Sequence, residues 1–345
     1  MNDNFNPIEN HEVMSPEEQS KHKNTFSKIC LAFLAFILIT ELLATLASYA
    51  IAYIDPELLK DTNISLVLSA LIQYLVGLPL FIFFIKKIPS VTPSQKSLTA
   101  KEFFKLSAIA IFIMQVGNYI STMIVSVIEE NLGYIPENAV STLLTDTNIL
   151  LSALIVGIIG PIVEEIMFRK LAIDRLTPYG EKVAVFLPAF IFGLIHGNLY
   201  QFFYAFFLGI IFSFIYVKTG KIIYSIVLHC FINLFCGVLP AYALGSLDLE
   251  ELLEIAESGN ITPEYIEQNY TALSLLSLYG IVLTVMMFVG LFAFNRNLYR
   301  IRFKKGEITL PKGSGADIIF FNKGAIALIA VCVIIIAIST FAPAV

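Results

Sequence analysis

Residues 157–169 read GIIGPIVEEIMFR, an apolar run that contains two adjacent carboxylates and one guanidinium. A charged group at the middle of a bilayer costs about 3 kcal/mol on insertion scales, and such residues usually carry function. The chain as a whole has the composition of a membrane protein, since 57% of its 345 residues are hydrophobic and 14% are charged. Soluble domains carry about 25% charged residues. This stretch therefore predicts a transmembrane helix that bears part of a functional site.

Apolar runs of about membrane-spanning length recur along the chain after its polar N-terminal region. They predict an all-α fold, a polytopic transmembrane helical bundle of about nine spans. The count becomes eight if the fifth and sixth runs are miscounted, because only residues 196–200 separate them. The nine runs lie at about 29–53, 64–85, 103–128, 149–169, 183–198, 201–217, 222–243, 271–294 and 318–342.

The distribution of Lys and Arg predicts the orientation of these spans. If the N-terminus is cytoplasmic and the spans alternate, every one of the 22 Lys and Arg residues except Lys60 falls on the cytoplasmic side. Cytoplasmic loops of membrane proteins are enriched in Lys and Arg. We therefore expect a cytoplasmic N-terminus, an extracytoplasmic C-terminus and a bacterial plasma membrane, although an endoplasmic reticulum also fits this pattern.

The regions outside the spans are polar or acidic. Residues 1–28 predict a flexible cytoplasmic tail, which leaves 29–345 as the transmembrane domain. The acidic extracytoplasmic segment 245–270 contains an amphipathic helical pattern at Leu247–Glu257. Residues 262–264, Thr-Pro-Glu, are typical of the start of another short helix: a cap, a proline and an acid. The segment is interpreted as a solvated loop helix or, alternatively, as a lid or substrate gate.

Very few ionisable residues lie within the apolar runs. Glu165 and Arg169 have the i,i+4 spacing and order that favour an ion pair on one helix face. Neighbouring residues on a helix point about 100° apart, so Glu164 faces elsewhere and is a candidate general base acting on water. Glu41 has no partner that the sequence identifies, and we expect a structural or gating role. The remaining intramembrane ionisable residues are His196 and His229.

The two histidines each share a helix face with a second residue. Phe192 precedes His196 by four positions, and Asn233 follows His229 by four. Two donors aimed at one oxygen are what a developing oxyanion needs, so the second pair is a candidate oxyanion site. At ~1.5 Å per residue, Glu164 and His229 lie roughly 15 and 12 Å from the nearest cytoplasmic charges. His196 lies roughly 21 Å from them, which is too deep unless its helix tilts or begins within the interface.

The apolar runs contain three ordered motifs and lack the known signatures of several intramembrane protease classes. The sequence has no HExxH zinc-protease motif, no GxSG serine motif of the rhomboid type and no GxGD aspartyl motif. It does contain EExxxR at 164–169, FxxxH at 192–196 and HxxxN at 229–233, each in a separate apolar run. At these residues the sequence resembles the CPBP family, the CAAX proteases and bacteriocin-processing enzymes, also called Abi. The family core covers about residues 150–240.

The resemblance implies an all-helical intramembrane endopeptidase, a peptidase of the CAAX type. Eukaryotic members of this family remove the last three residues of prenylated CAAX proteins, so the substrate is expected to be a peptide or membrane protein, lipidated or not. By similarity, Glu164 is the general base and His196 orients the attacking water. His229 and Asn233 stabilise the oxyanion by the same similarity. The supporting residues are Glu165, Arg169 and Phe192.

The sequence leaves the cofactor open. The family is often labelled metalloprotease, yet its site is also described as activating water without a metal. Glu164, His196 and His229 could supply three zinc ligands. We expect no obligatory metal, with zinc as the alternative. The expected partners are the substrate and the lipid bilayer, without nucleic acid, and the oligomeric state is open.

Two other functions fit intramembrane Glu and His residues. A proton- or solute-coupled transporter uses such residues as a relay, and it predicts flux that depends on Glu164 without peptide cleavage. A non-catalytic membrane chaperone or bacteriocin-immunity protein predicts that Glu164→Gln and His229→Ala leave the phenotype intact. No inverted repeat, which many transporters contain, is evident in the sequence.

Overall fold

The computed structural model describes residues 14–133, 139–248, 251–252, 255, 258–259, 261–299, 301–311 and 313–341. These residues form helices and contain no β-strand, so the predicted all-α bundle is confirmed for them. We number the helices α1 (Pro16–Ile54), α2 (Thr62–Ile85), α3 (Ala100–Leu132), α4 (Ala139–Asp146), α5 (Ile149–Tyr179), α6 (Glu181–Ile195), α7 (Leu199–Thr219), α8 (Ile222–Gly245), α9 (Pro263–Gln268), α10 (Tyr270–Leu298), α11 (Gly315–Phe320) and α12 (Lys323–Phe341).

Eight of the described helices are long and apolar enough to cross a membrane, namely α1, α2, α3, α5, α7, α8, α10 and α12. The predicted fifth run forms α6, which has 15 residues and is roughly 22 Å long. That length is shorter than the ~30 Å hydrocarbon core. The predicted break between the fifth and sixth runs is present, because Gly197 adopts a φ of +71° and Asn198 caps α7. The described residues thus form eight helices of spanning length and one shorter apolar helix, α6.

The helix ends lie at two opposite faces of the bundle. On the first, the loop after α2 bonds to the end of α7 (Lys96 N to Thr219 O, 2.8 Å), and α6 begins beside the segment after α10 (Glu181 N to Lys304 O, 3.1 Å). We call this end of the bundle, with residues 86–99, 177–182, 218–221 and 301–311, the basic face. Helices α5 and α7 end there, and α6 starts there.

The opposite face holds the loops between α1 and α2 and between α3 and α5. Thr62 Oγ1 donates to Asp146 O at 2.8 Å, and Asn148 N donates to Asn63 Oδ1 at 2.8 Å. These contacts join loops that the sequence predicts to lie on one side of the membrane. The helix ends therefore alternate between the two faces in the order that the charge pattern predicts.

Three spanning helices contain a π-helical turn that ends two residues before a proline. Proline lacks an N–H and clashes with the carbonyl four residues earlier, and the wider π turn accommodates both effects. π turns are frequent at functional sites, and two of these three flank the candidate site described below. The turns are Ile72–Gly77 before Pro79 in α2, Ile155–Ile159 before Pro161 in α5, and Asn233–Val238 before Pro240 in α8.

Aromatic rings form much of the core between α1, α2, α5 and α6. The ring of Phe33 lies 4.6 Å from that of Phe81 and 4.8 Å from that of Phe168, centroid to centroid. Phe168 in turn contacts Phe192 edge-on at 4.9 Å. Large rings at such distances contribute about 0.5–1.5 kcal/mol per pair beyond their burial. The chain of rings joins α1 to the residues that surround the candidate site.

The structure corrects two boundaries drawn from the sequence. Residues 16–28 are the first part of α1, opened by a capping box between Ser15 and Glu18, and are not a flexible tail. The predicted span 318–342 is interrupted between α11 and α12. Asn322 Oδ1 accepts a hydrogen bond from Ala325 N and so caps the start of α12. The short helix expected after Thr262 is confirmed as α9. The helix expected at 247–257 lies partly outside the described residues.

Candidate active site

The two adjacent carboxylates of helix α5 differ in their exposure to solvent. The side chain of Glu164 is 37% exposed and lines a cavity between the helices, whereas that of Glu165 is 0% exposed. The difference follows from the ~100° rotation between neighbouring residues on a helix. Only Glu164 can therefore meet a water molecule or a substrate.

Arg169 is buried one helical turn after Glu165. Its Nε lies 3.2 Å from Glu165 Oε2, so the i,i+4 ion pair expected from the sequence is present. The guanidinium carbon lies 4.8 Å from the ring centroid of Phe192, 5.2 Å from that of Phe212 and 5.7 Å from that of Phe168. Among the described residues its Nη atoms have no hydrogen-bond partner. Cation–π attraction, about 2 kcal/mol in a desolvated site, takes the place of those bonds.

His229 on α8 lies between the two carboxylates of α5. Its Nδ1 lies 3.0 Å from Glu165 Oε1, and because a carboxylate paired with a guanidinium accepts only, Nδ1–H donates. Its Nε2 lies 3.6 Å from Glu164 Oε2 on the cavity side. The ring of Phe212 stacks on the imidazole at 4.7 Å. These contacts hold the ring so that Nε2 points at the cavity.

Asn233 also lines the cavity, one turn further along α8. Its Nδ2 donates one hydrogen to the carbonyl of Val156 at 2.9 Å, and Val156 lies in the π turn of α5. The second amide hydrogen is not used in this bond. The π turns of α5 and α8 thereby orient the Asn233 amide relative to Glu164.

His196 directly follows α6 as its C-cap and also lines the cavity. Its Nδ1 lies 2.6 Å from the carbonyl oxygen of Phe192. A carbonyl accepts only, so Nδ1 carries the hydrogen and Nε2 of the neutral ring is an acceptor. Phe192 therefore has two tasks, since its carbonyl orients His196 and its ring covers Arg169. His196 and Glu164 line the same cavity.

The excess depth expected for His196 is resolved by the directions of the two helices. Side chains on a helix lean toward its N-terminus. Helix α6 runs away from the basic face, so His196 leans back toward that face, as its bond to Phe192 demonstrates. Helix α5 runs toward the basic face, so Glu164 leans away from it. The two side chains approach the same cavity although their backbones start at different depths.

The cavity is about 760 Å³ and contains polar side chains that the search for ionisable residues missed. Gln201 Nε2 donates to the hydroxyl of Tyr204 at 2.7 Å, which leaves the Tyr204 hydrogen free to donate into the cavity. Asn118 Nδ2 donates to Gln115 Oε1 at 3.1 Å. The sequence does contain a signal for them, namely uncharged amides inside apolar runs, because polar side chains also cost free energy in lipid.

The candidate zinc ligands do not form a metal site as arranged here. Among the described residues, no three His, Cys, Asp or Glu side chains are placed to hold a metal ion. Nδ1 of His229 is bonded to Glu165 and Nδ1 of His196 to the carbonyl of Phe192, which leaves Nε2 of each ring as the available nitrogen. Metal-binding histidines are oriented in the same way, so these contacts suit a water-activating site and a zinc site alike. The expectation of no obligatory metal stays a prediction.

Glu41 lies outside the candidate site. Its side chain is exposed on α1 and has no hydrogen bond or ion pair to the described part of the chain. It does not line the cavity that contains Glu164. The expectation of a structural or gating role for Glu41 stays a prediction.

Comparison with known proteins identifies a family whose model matches part of this chain. Residues 146–235 match the family model described as Type II CAAX prenyl endopeptidase Rce1-like. All three motifs fall inside that match. The chain is 29% identical over 143 residues to UPF0177 protein YxdF of Lactococcus lactis, a match that covers 41% of this chain and 79% of that protein. It is 32% identical over 93 residues to "Putative membrane peptidase YdiL" of Bacillus subtilis, covering 26% of this chain and 37% of YdiL. No solved structure matches.

The helical bundle and the matched segment are similar to those of an integral membrane protease family. The resemblance to the CPBP family of CAAX proteases, inferred from the three motifs, is confirmed.

Proposed function

We propose that this chain hydrolyses a peptide bond near the C-terminus of a membrane-associated substrate, lipidated or not, with a water molecule activated by Glu164 and His196. The observation that carries the proposal is the cavity of about 760 Å³ in which Glu164, His196, His229 and Asn233 meet. Glu165, Arg169 and Phe192 hold these four residues in place.

Glu164 and His196 provide complementary contacts for the attacking water. Glu164 is the partly exposed carboxylate of the pair on α5 and takes one proton from the water. Nε2 of His196 accepts the second hydrogen, because its Nδ1–H is already given to the carbonyl of Phe192. With both hydrogens directed, a lone pair of the water oxygen points at the carbonyl carbon of the substrate.

His229 and Asn233 provide the donors for the oxyanion. Asn233 offers the amide hydrogen that Val156 does not accept, and His229 offers Nε2–H when both of its nitrogens are protonated. In that state the two glutamates, Arg169 and His229 sum to zero charge. One donor of this kind typically contributes a factor of about 10²–10³ to kcat.

The tetrahedral intermediate then breaks at its carbon–nitrogen bond. The proton that Glu164 took from the water is the one it returns to the leaving nitrogen, which departs as an amine. The oxyanion re-forms a carbonyl and leaves a carboxylic acid on the other product. One water is consumed, and Glu164 ends as the carboxylate that began the cycle.

The proposed orientation is a cytoplasmic N-terminus and an extracytoplasmic C-terminus in a bacterial plasma membrane. The charge pattern supports it, since the loops rich in Lys and Arg share the basic face. The candidate site then opens to substrates within the membrane, at a depth reached from the cytoplasmic side.

The test is cleavage by the purified full chain of membrane-protein fragments and of peptides with and without a C-terminal prenyl group. Wild type should cleave, and Glu164→Gln and His196→Ala should reduce the rate by at least about 10²-fold. Equal cleavage by all three proteins would overturn the assignment. A parallel series with a chelator tests the metal alternative, and cleavage by wild type should persist in it.

A further inference from the structure

A second cavity lies at the basic face and shares no lining residue with the candidate active site. Its volume is about 1000 Å³, at the upper end of the ~300–1,000 Å³ of small-molecule sites. It is enclosed by the first parts of α3 and α6, the last parts of α7 and α10, and the segment 301–307. We call this space the basic-face cavity.

The segment 301–307 is tied across the cavity as its floor. Lys218 Nζ donates to Arg302 O at 2.7 Å, and Glu181 Oε2 accepts from Lys304 N at 2.8 Å. The ring of Phe303 faces the interior, 5.9 Å from that of Phe186. The floor is therefore held by the ends of α6 and α7 and presents both charge and an aromatic surface.

Charge and apolar surface are separated along the depth of this cavity. Cationic side chains surround its end at the basic face, among them Lys96, Lys105, Lys304 and Lys305. Three acids also line the cavity: Glu181 pairs with Lys218, Glu102 bonds to Thr99 at the start of α3, and the third is Glu307. The six Lys and Arg residues of the lining outnumber them. No hydrogen bond or ion pair from the four lysine ammonium groups to a described residue is present.

Above the lysines, the walls are apolar. Ile113 lies eight residues after Lys105 on α3, and Ile210 lies eight before Lys218 on α7, roughly 12 Å deeper in each case. Phe294 of α10 closes the third side. The cavity thus has a cationic end at the membrane surface and an apolar end toward the bilayer centre, which is the polarity of a phospholipid in that leaflet.

We propose that the basic-face cavity binds one anionic diacyl phospholipid, with its phosphate among the lysines and an acyl chain along α3, α7 and α10. Basic pockets between transmembrane helices are suited to anionic headgroups, and each Lys or Arg near such a lipid contributes about 1 kcal/mol. The apolar walls favour a lipid over a free phosphate, which would leave Ile113 and Phe294 in contact with water. The proposal is independent of the proposed peptidase activity.

The test is native mass spectrometry of the full chain titrated with phosphatidylglycerol or, in parallel, phosphatidylcholine of the same acyl chains. Wild type should retain one phosphatidylglycerol at least about tenfold more tightly than phosphatidylcholine. The triple variant Lys105→Ala, Lys304→Ala and Lys305→Ala should lose at least about tenfold in phosphatidylglycerol affinity. The matched control removes the same charge from the same face outside this cavity, with Lys86→Ala, Lys87→Ala and Lys101→Ala, and should bind like wild type.

Two further arms distinguish the ligand. Ile113→Trp fills the apolar end and should weaken phosphatidylglycerol binding while the lysines remain. Glycerophosphate should not compete, because it lacks acyl chains. Equal loss in both triple variants, equal retention of the two lipids, or competition by glycerophosphate would overturn the proposal. The folded Glu164→Gln variant should bind phosphatidylglycerol like wild type, whatever its peptidase activity.

Discussion

Nδ1 of His229 lies 3.0 Å from Oε1 of Glu165, a carboxylate that is fully buried and does not reach the cavity. The other oxygen of Glu165 lies 3.2 Å from Nε of Arg169. One carboxylate therefore connects the buried guanidinium to the imidazole that faces the cavity. Its neighbour Glu164 has no such buried role and is the group exposed to water.

The two adjacent glutamates should respond differently to the same substitution. Glu165→Gln leaves the charge of Arg169 uncompensated in the core, and breaking a buried pair in this way costs about 3–5 kcal/mol. Glu164→Gln changes a partly exposed side chain and should alter the unfolding temperature little while abolishing cleavage. Thermal unfolding in detergent measures the difference. Equal stability of the two variants would contradict the roles assigned here.

Arg169→Lys should not be a conservative change. The guanidinium plane lies against the rings of Phe192 and Phe212, and a lysine ammonium replaces it with a strongly hydrated point charge. We expect a loss of about 2 kcal/mol in the free energy of unfolding. The control is Lys101→Arg, an exposed substitution of the same two side-chain types, which should be neutral. Wild-type stability of Arg169→Lys would show that the rings do not hold the guanidinium.

The sequence predicted the helices and the residues at the site better than it predicted their depth. Periodicity gave the Glu165–Arg169 pair, and the short break after His196 gave the end of α6. The π turns were not visible, because a single added residue per turn leaves hydropathy unchanged. The direction in which His196 leans depends on which way α6 runs relative to α5, which only the structure provides.

Tyr204 should contribute to catalysis although it belongs to no motif. Its hydroxyl accepts from Gln201 at 2.7 Å and has its own hydrogen to donate into the cavity. Tyr204→Phe should lower kcat about tenfold, the smaller effect expected of a neutral donor outside the reacting groups. Tyr224→Phe is the matched control, since that hydroxyl accepts from Leu98 N, away from the cavity. Equal activities of the two variants would remove Tyr204 from the site.

The two faces of the bundle should react differently with a membrane-impermeant thiol reagent applied from outside intact cells. A cysteine at Asp61, in the loop between α1 and α2, should be labelled, whereas one at Lys101, in the first turn of α3 next to the basic face, should be labelled only after lysis. The native Cys30 and Cys332 are 1% exposed and should stay unreactive. Labelling of Lys101→Cys in intact cells would reverse the proposed orientation.

Asn233→Ala should separate catalysis from substrate binding. The variant loses the amide hydrogen offered to the oxyanion, so kcat should fall about 10²–10³-fold with little change in KM. It also loses the bond to Val156 O, which should lower the free energy of unfolding by about 1 kcal/mol. Asn118→Ala is the control, because its amide lines the same cavity from α3 and bonds to Gln115. The Asn118→Ala variant should change KM more than kcat. A fall in kcat for Asn118→Ala, together with a change in KM alone for Asn233→Ala, would place the oxyanion nearer α3 than α8.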